Sequence, residues 1–188
     1  MKRVLVPLAP GFEEIEAVTI IDILRRADIH VTVAGTVAGP VTGSRGVAIV
    51  PDARLDSAAE VEYDMVVLPG GGPGTENLRR DPRIARLVKA QSDRGGYVAA
   101  ICAAPTVLSD AGLLVGRRVT SYPSYQSQFA AADYQTDRVV VDGRLITSRS
   151  PGTALEFALT LVEHLAGESV SKRIADDVLA AGTAHGGR

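Results

Sequence analysis

A single cysteine, Cys102, stands in a chain of 188 residues that has no tryptophan. One thiol forms no internal disulfide and builds no cysteine-rich zinc site. An excess of charge of either sign is also missing: 20 Lys and Arg face 22 Asp and Glu, a formal net charge of −2. That balance gives no reason to expect a nucleic-acid or membrane partner. No apolar run approaches the about 20 residues needed to span a bilayer. The basic start Met1-Lys2-Arg3 leads into only a short apolar stretch before Pro10, Gly11 and the acidic Glu13, Glu14 and Glu16. It therefore reads as a first strand and not a signal peptide, and the expected compartment is the cytoplasm. Internal repeats, low-complexity tracts, linkers and paired metal ligands are absent as well. What remains, at 46% hydrophobic and 22% charged, is the composition of an ordinary soluble domain. The length suits one such domain, burying about 70% of its unfolded surface.

The apolar residues that are present fall into an α/β pattern. Arg3 to Leu8 reads as a buried strand and Ala9-Pro10-Gly11-Phe12 as a loop. From Glu13 to Ala27, Ile15, Val18, Ile21 and Leu24 recur at intervals of three, and Ile20 and Ile23 widen the stripe. This predicts a helix with a broad apolar face, largely covered by its neighbours. Ile29 to Ala34 is a second strand, so the three pieces form a βαβ unit and imply a parallel sheet. The glycine-rich Gly35 to Asp52 accommodates a surface hairpin, with Val47 to Val50 as a strand and Ser44-Arg45-Gly46 at the turn. Met65 to Leu68 is the next buried strand, and Pro69-Gly70-Gly71-Gly72-Pro73-Gly74 the loop after it. Ile84, Leu87 and Val88 mark a helix before the strand Val98 to Ile101, and Thr106 to Ala111 is helical. Arg118 to Thr120, Arg138 to Val141 and Leu145 to Thr147 are strand-like, with Asp142-Gly143 a hairpin turn between the last two. Pro151 to Leu165 and Ser169 to Ala180 close the chain as helices, and Gly182 to Arg188 is expected to fray.

Chemistry concentrates where a strand, Cys102 and a helix start follow one another, the layout of a nucleophile elbow. The first N–H groups of that helix and its dipole favour thiolate over thiol. The plainer reading is a small, inert core residue. In open parallel sheets ligands bind beyond the carboxyl ends of the strands. The loop after the first strand, with Glu13, Glu14 and Glu16, the glycine loop at 70–74 and Cys102 all fall there. A carboxyl beside a thiol serves as general acid or base, and Glu16 lies in the first turns of its helix, where it faces the crevice. The alternative is that all three glutamates only favour the helix N-terminus. The glycine loop gathers backbone N–H groups but lacks the Lys-Ser/Thr ending of a P-loop, and a plain turn is its alternative. His30 begins a strand, away from the site, His164 lies within a helix and His185 in the tail. A Cys-His-acid triad is therefore not expected.

These residues carry a family resemblance. The run Leu5-Val6-Pro7-Leu8-Ala9-Pro10-Gly11-Phe12-Glu13-Glu14-Ile15-Glu16-Ala17 is followed by Val67-Leu68-Pro69-Gly70-Gly71. Then come Ala99-Ala100-Ile101-Cys102-Ala103-Ala104-Pro105 and Thr147-Ser148-Arg149-Ser150-Pro151-Gly152-Thr153. In this order they resemble the ThiJ/PfpI superfamily, within it the Parkinsonism-associated deglycase group, and most nearly its bacterial YajL branch. The resemblance implies a flavodoxin-like α/β sandwich with a mostly parallel sheet, a homodimer and no cofactor. It implies that Cys102 is an oxidation-prone nucleophile and Glu16 its protonated partner, with Gly70, Gly71 and the Ala103 backbone around sulfur and substrate oxygen. Arg45 resembles an arginine near the dimer interface and site, and its plainer reading is an exposed turn residue. Tyr122 stands where animal members carry a histidine, and Ala103 where the branch linked to proteolysis carries one, which argues against a protease. The implied activity is that of a glyoxalase or deglycase acting on methylglyoxal, glyoxal or early glycation adducts. The alternative is a redox-sensing or chaperone-like protein whose cysteine is oxidised to sulfinate.

Overall fold

The computed structural model describes residues 1–180. Its first half runs β1 (Arg3–Leu8), α1 (Glu14–Arg26), β2 (His30–Gly35), β3 (Val41–Thr42), β4 (Ala48–Ile49), β5 (Ala53–Arg54), α2 (Leu55–Ala58), β6 (Met65–Leu68), α3 (Gly72–Arg80) and α4 (Pro82–Asp93). The second half runs β7 (Tyr97–Ile101), α5 (Pro105–Asp110), β8 (Arg118–Val119), β9 (Asp133–Tyr134), β10 (Val139–Asp142), β11 (Leu145–Ser148), α6 (Ala154–Ala166) and α7 (Glu168–Asp177). Short 3₁₀ turns cover Pro123–Phe129 and Pro151–Thr153.

Alternation along the strands divides the core in two. Val4, Val6 and Leu8 of β1, Met65 and Val67 of β6 and Ala99 and Ile101 of β7 belong to one buried cluster, under α1 and α6. Leu5, Val66, Leu68, Val98 and Ala100 point into the other, with Leu78, Ile84, Val88 and Leu108 from the helices of the opposite face. This is the period-two arrangement of a sheet covered on both sides. The main sheet has the order β10-β11-β7-β6-β1-β2-β5. All its pairs are parallel except β10 with β11, the hairpin turned at Asp142-Gly143. The expected α/β sandwich is thus the fold. β1 pairs β2 on one side and β6 on the other, so the chain changes direction across the sheet there. That is the switch point at whose carboxyl ends such folds hold their sites. Among the described residues no helix is long and apolar enough to cross a membrane.

The structure corrects several sequence-based expectations. Ile15 and Val18 of α1 are 58% and 47% exposed, while Ala17, Ile20, Ile23 and Leu24 are buried. An interval of three falls short of the 3.6-residue turn, so a stripe from Ile15 to Leu24 winds half-way round the helix. Only its far end reaches the core. The glycine run is not all loop: α3 begins at Gly72, with Pro73 in its first turn. Thr120 lies beyond the end of β8, which pairs with β9 in a separate two-stranded sheet. The hairpin at 41–49 is present but short, pairing Val41 with Ile49 and Thr42 with Ala48. The expected fraying of Gly182 to Arg188 falls outside the described residues.

Candidate active site

Three strands that lie side by side, β7, β6 and β1, end at one crevice, and each hands it one component. After β1 the chain turns through Ala9–Glu13 into α1, where Glu13, Glu14 and Glu16 take three separate tasks. Glu13 is the N-cap and accepts the Glu16 N–H at 2.7 Å, satisfying one of the helix's free donors. Glu14 accepts the Arg45 N–H at 2.5 Å and the Ser44 hydroxyl at 3.1 Å, so it ties the hairpin turn to the helix. Burial alone would raise the Glu14 carboxyl, and these hydrogen bonds hold it below its ordinary value. Glu16 points inward and is 0% exposed.

Beyond β6, Gly70 donates its N–H to Glu16 Oε2 at 2.8 Å. A Cβ on Gly70 would stand 2.6 Å from that oxygen and 2.7 Å from Cys102 Cβ. The missing side chain lets carboxyl and thiol close on one glycine. Gly71 adopts φ 92° and faces the backbone of Gly11 and Phe12, so it too admits no side chain. The loop after β6 therefore packs against the loop after β1 and does not flex freely: Glu13 N–H bonds Gly70 O at 3.0 Å, and Gly74 N–H bonds Gly11 O at 2.9 Å.

Cys102 follows β7 with φ 64°, a left-handed backbone costing about 1–2 kcal/mol. Two hydrogen bonds fix it. Its N–H donates to Ser148 O at 3.0 Å, and its carbonyl accepts the Tyr122 N–H at 2.9 Å. The elbow is real, and it presents a half-buried thiol to Glu16.

The electrostatics depart from the expected thiolate. Burial first, then the Glu16 charge, push the Cys102 thiol up to about 12, although Gly71 and Ala103 N–H groups donate towards the sulfur. The six-residue α5 offers too little dipole to reverse this. Burial likewise pushes Glu16 up to about 7, against the Gly70 N–H and the Cys102 thiol, which favour its charged form. The second carboxyl oxygen, Oε1, is buried with no hydrogen-bond partner among the described residues. Thiol and carboxyl act on one another's protons and titrate as a pair. Such a pair supplies a nucleophile and a proton carrier, and the adjacent N–H groups suit a developing oxyanion.

The remaining candidates divide. Arg45 contributes its backbone N–H to Glu14, while its side chain is exposed on the hairpin turn. Tyr122 reaches Cys102 through its backbone, and its ring, in a residue 43% exposed, lines a neighbouring cleft. His30 lies at the start of β2, and His164 packs its ring 5.7 Å from that of Tyr97, at the far end of β7. His185 falls outside the described residues. Ser148, whose carbonyl anchors Cys102, was visible in the sequence only as part of the run 147–153.

Comparison with known proteins places the chain in a family. The profile of the DJ-1/PfpI family matches residues 2–164. The Drosophila melanogaster protein dj-1beta is 48% identical over 183 residues, covering 96% of this chain and 98% of its own. Its crystal structure superposes with a TM-score of 0.93 at 47% identity, over 96% and 98% of the two chains. A Caenorhabditis elegans protein named a glutathione-independent glyoxalase is 41% identical over 169 residues, 88% of this chain and 90% of its own. A family profile covering most of the chain, a shared fold and close relatives along nearly its full length lead to one conclusion: this chain belongs to the DJ-1/PfpI family.

Proposed function

We propose that the protein is a cysteine-dependent glyoxalase that also acts as a deglycase on early adducts of the same dicarbonyls. The observation that carries this reading is the fully buried Glu16 carboxyl, held by the Gly70 N–H on one oxygen, unpartnered on the other among the described residues, and in side-chain contact with the Cys102 thiol. The glyoxalase name of the C. elegans relative supports it. With methylglyoxal, the Cys102 sulfur adds to the aldehyde carbon. An S–C bond forms, the carbonyl electron pair moves to oxygen, and the thiol proton ends there, leaving a hemithioacetal. Glu16 then removes the proton from that carbon and returns one to the neighbouring carbon, so the hydroxyl carbon becomes a thioester carbonyl and the ketone an alcohol. Water attacks the thioester, the S–C bond breaks, and lactate and the free thiol are released. The N–H groups of Gly71 and Ala103 are assigned to the sulfur and the oxygen developing beside it. The steps use no cofactor. An early hemithioacetal or hemiaminal adduct enters the same sequence once its amine or thiol leaves. Purified protein incubated with methylglyoxal should form lactate, and Cys102→Ser and Glu16→Ala should not; equal turnover by either variant overturns the mechanism.

A second reading uses the same pocket. Peroxide oxidises the thiol to sulfenate and then sulfinate, each step adding one oxygen to sulfur and releasing water. A protonated Glu16 and the Gly71 and Ala103 N–H groups would bond those oxygens. Intact mass after mild peroxide should show a two-oxygen adduct on Cys102, and its absence counts against this switch.

The homodimer belongs to the same proposal. The exposed Ile15 and Val18 form an apolar strip on α1, and the hairpin bearing Arg45 is tied to that helix by Glu14. Placement in the bacterial YajL branch is likewise a proposal, resting on the four sequence motifs at 5–17, 67–71, 99–105 and 147–153.

A further inference from the structure

Beside the elbow lies a cleft of about 570 Å³ whose walls include Tyr122, Ser124, Thr136, Arg138, Arg149 and Ser150. One lining residue is bonded to the nucleophile's own backbone, and another is the chain neighbour of a residue that is. Tyr122 donates its N–H to the Cys102 carbonyl, and Arg149 directly follows Ser148, which accepts the Cys102 N–H. The cleft is therefore within short reach of a group held on the sulfur.

Its charge is unusual for this molecule. Among the described residues three arginines are half-buried: Arg83, Arg117 and Arg149. Arg83 is paired with Asp81 and Asp56, and Arg117 with Asp142. Among the described residues Arg149 has no carboxylate within ion-pair distance; one nitrogen, Nη1, donates to Thr136 O at 2.5 Å. A partly desolvated guanidinium with most of its donors unused is costly unless an anion meets it. Arg138 adds a second positive group, although Glu156 at 2.6 Å offsets it and the Gly152 carbonyl takes another of its donors at 2.8 Å. Asp137, next in sequence to Arg138, is exposed and does not line the cleft. Among the described residues no acidic side chain lines the cleft, and the N-terminal end of α6 reaches it at Thr153, adding a favourable dipole.

We propose that this cleft is a subsite for an anionic substituent, carboxylate or phosphate, gripped by Arg149. The substrates it favours are α-oxoaldehydes, or their adducts, that carry such a group beyond the reacting carbons. This deepens the glyoxalase reading and rests on it. Tyr122 lines the same cleft as Arg149 and is bonded through its N–H to the Cys102 carbonyl, so it joins the subsite to the nucleophile.

The test compares kcat/KM for γ,δ-dioxovalerate, an α-oxoaldehyde ending in a carboxylate, with that for its methyl ester. The charged substrate is expected to be favoured by about tenfold or more, the worth of one charge-assisted hydrogen-bonded pair. Arg149→Gln should bring the ratio close to one, and Arg149→Lys should keep part of it. A wild-type ratio near one, or an undiminished ratio in Arg149→Gln, overturns the subsite. Calorimetric titration of Cys102→Ser protein with glutarate and with inorganic phosphate provides a readout without turnover. Binding of either that is lost on adding Arg149→Gln supports the subsite, and the tighter of the two names the anion. No binding of either overturns it. If the anion binds in this way while no dicarbonyl is turned over by the wild type, the subsite stands and the glyoxalase reading falls.

Discussion

Glu16 sits where a negative charge is costly. Its carboxyl is removed from water, one oxygen is met by the Gly70 N–H, and the other has no partner among the described residues. The unfolded chain releases this proton near the ordinary value of 4.5, whereas the folded protein keeps it until about 7. Between those two values the unfolded state binds fewer protons than the folded one. Stability therefore falls as pH rises through that window and is level above it. At about 1.4 kcal/mol per pH unit, the gap between 4.5 and about 7 comes to roughly 3 kcal/mol. Glu16→Gln keeps an acceptor for Gly70 and carries no charge. Urea unfolding of both proteins at about pH 5 and about pH 8 should show the wild type losing about 1–3 kcal/mol relative to the variant. Parallel pH dependences would remove the costly charge from the account. Cys102 was legible in the sequence as the lone thiol between strand and helix, but its protonation was not. The N–H groups of Gly71 and Ala103 were foreseen; the burial and the carboxylate that outweigh them depend on residues far away in the chain.

At the scale of elements, the three glutamates opening α1 show what a local pattern leaves open. All three suit a helix N-terminus, and only their partners, Glu16 N–H, the 44–45 turn and Gly70, tell capping from anchoring from chemistry. Helix α3 was hidden because Gly72-Pro73-Gly74 opens it, and glycine is a poor helix former. Contact with Gly11 and Phe12 supplies what propensity does not. Two-residue strands such as β5, β8 and β9 are too short to carry a period. The strands β1, β2, β6 and β7 and the β10–β11 hairpin were legible because each is a compact apolar run bounded by turn residues. The close approach at Gly70 gives a sharp prediction. In Gly70→Ala the new Cβ would meet Glu16 Oε2 at 2.6 Å and Cys102 Cβ at 2.7 Å. Overpacking of this kind costs about 1–3 kcal/mol. Urea titration should show that loss together with a fall in lactate formation, and a variant as stable and active as wild type would deny that carboxyl and thiol close on this glycine.

For the whole molecule, the parallel order of β7, β6 and β1 brings the three chain turns to one crevice, and α1 joins that crevice to an exposed apolar strip. The strip leads to a prediction about assembly. Wild-type protein should sediment as a dimer, and Ile15→Glu combined with Val18→Glu should sediment as a monomer with unchanged circular dichroism. A monomeric wild type would remove the strip as an interface. The central claim is that Cys102 and Glu16 act as one unit, nucleophile and proton carrier, and a double-mutant cycle on lactate formation from methylglyoxal tests it most directly. Each of Cys102→Ser and Glu16→Gln should lower kcat/KM by about 100-fold or more. The double variant should be no slower than the slower single variant, because groups acting as a unit lose their whole effect once. Losses that multiply, with the double variant slower by the product of the two factors, would contradict the account.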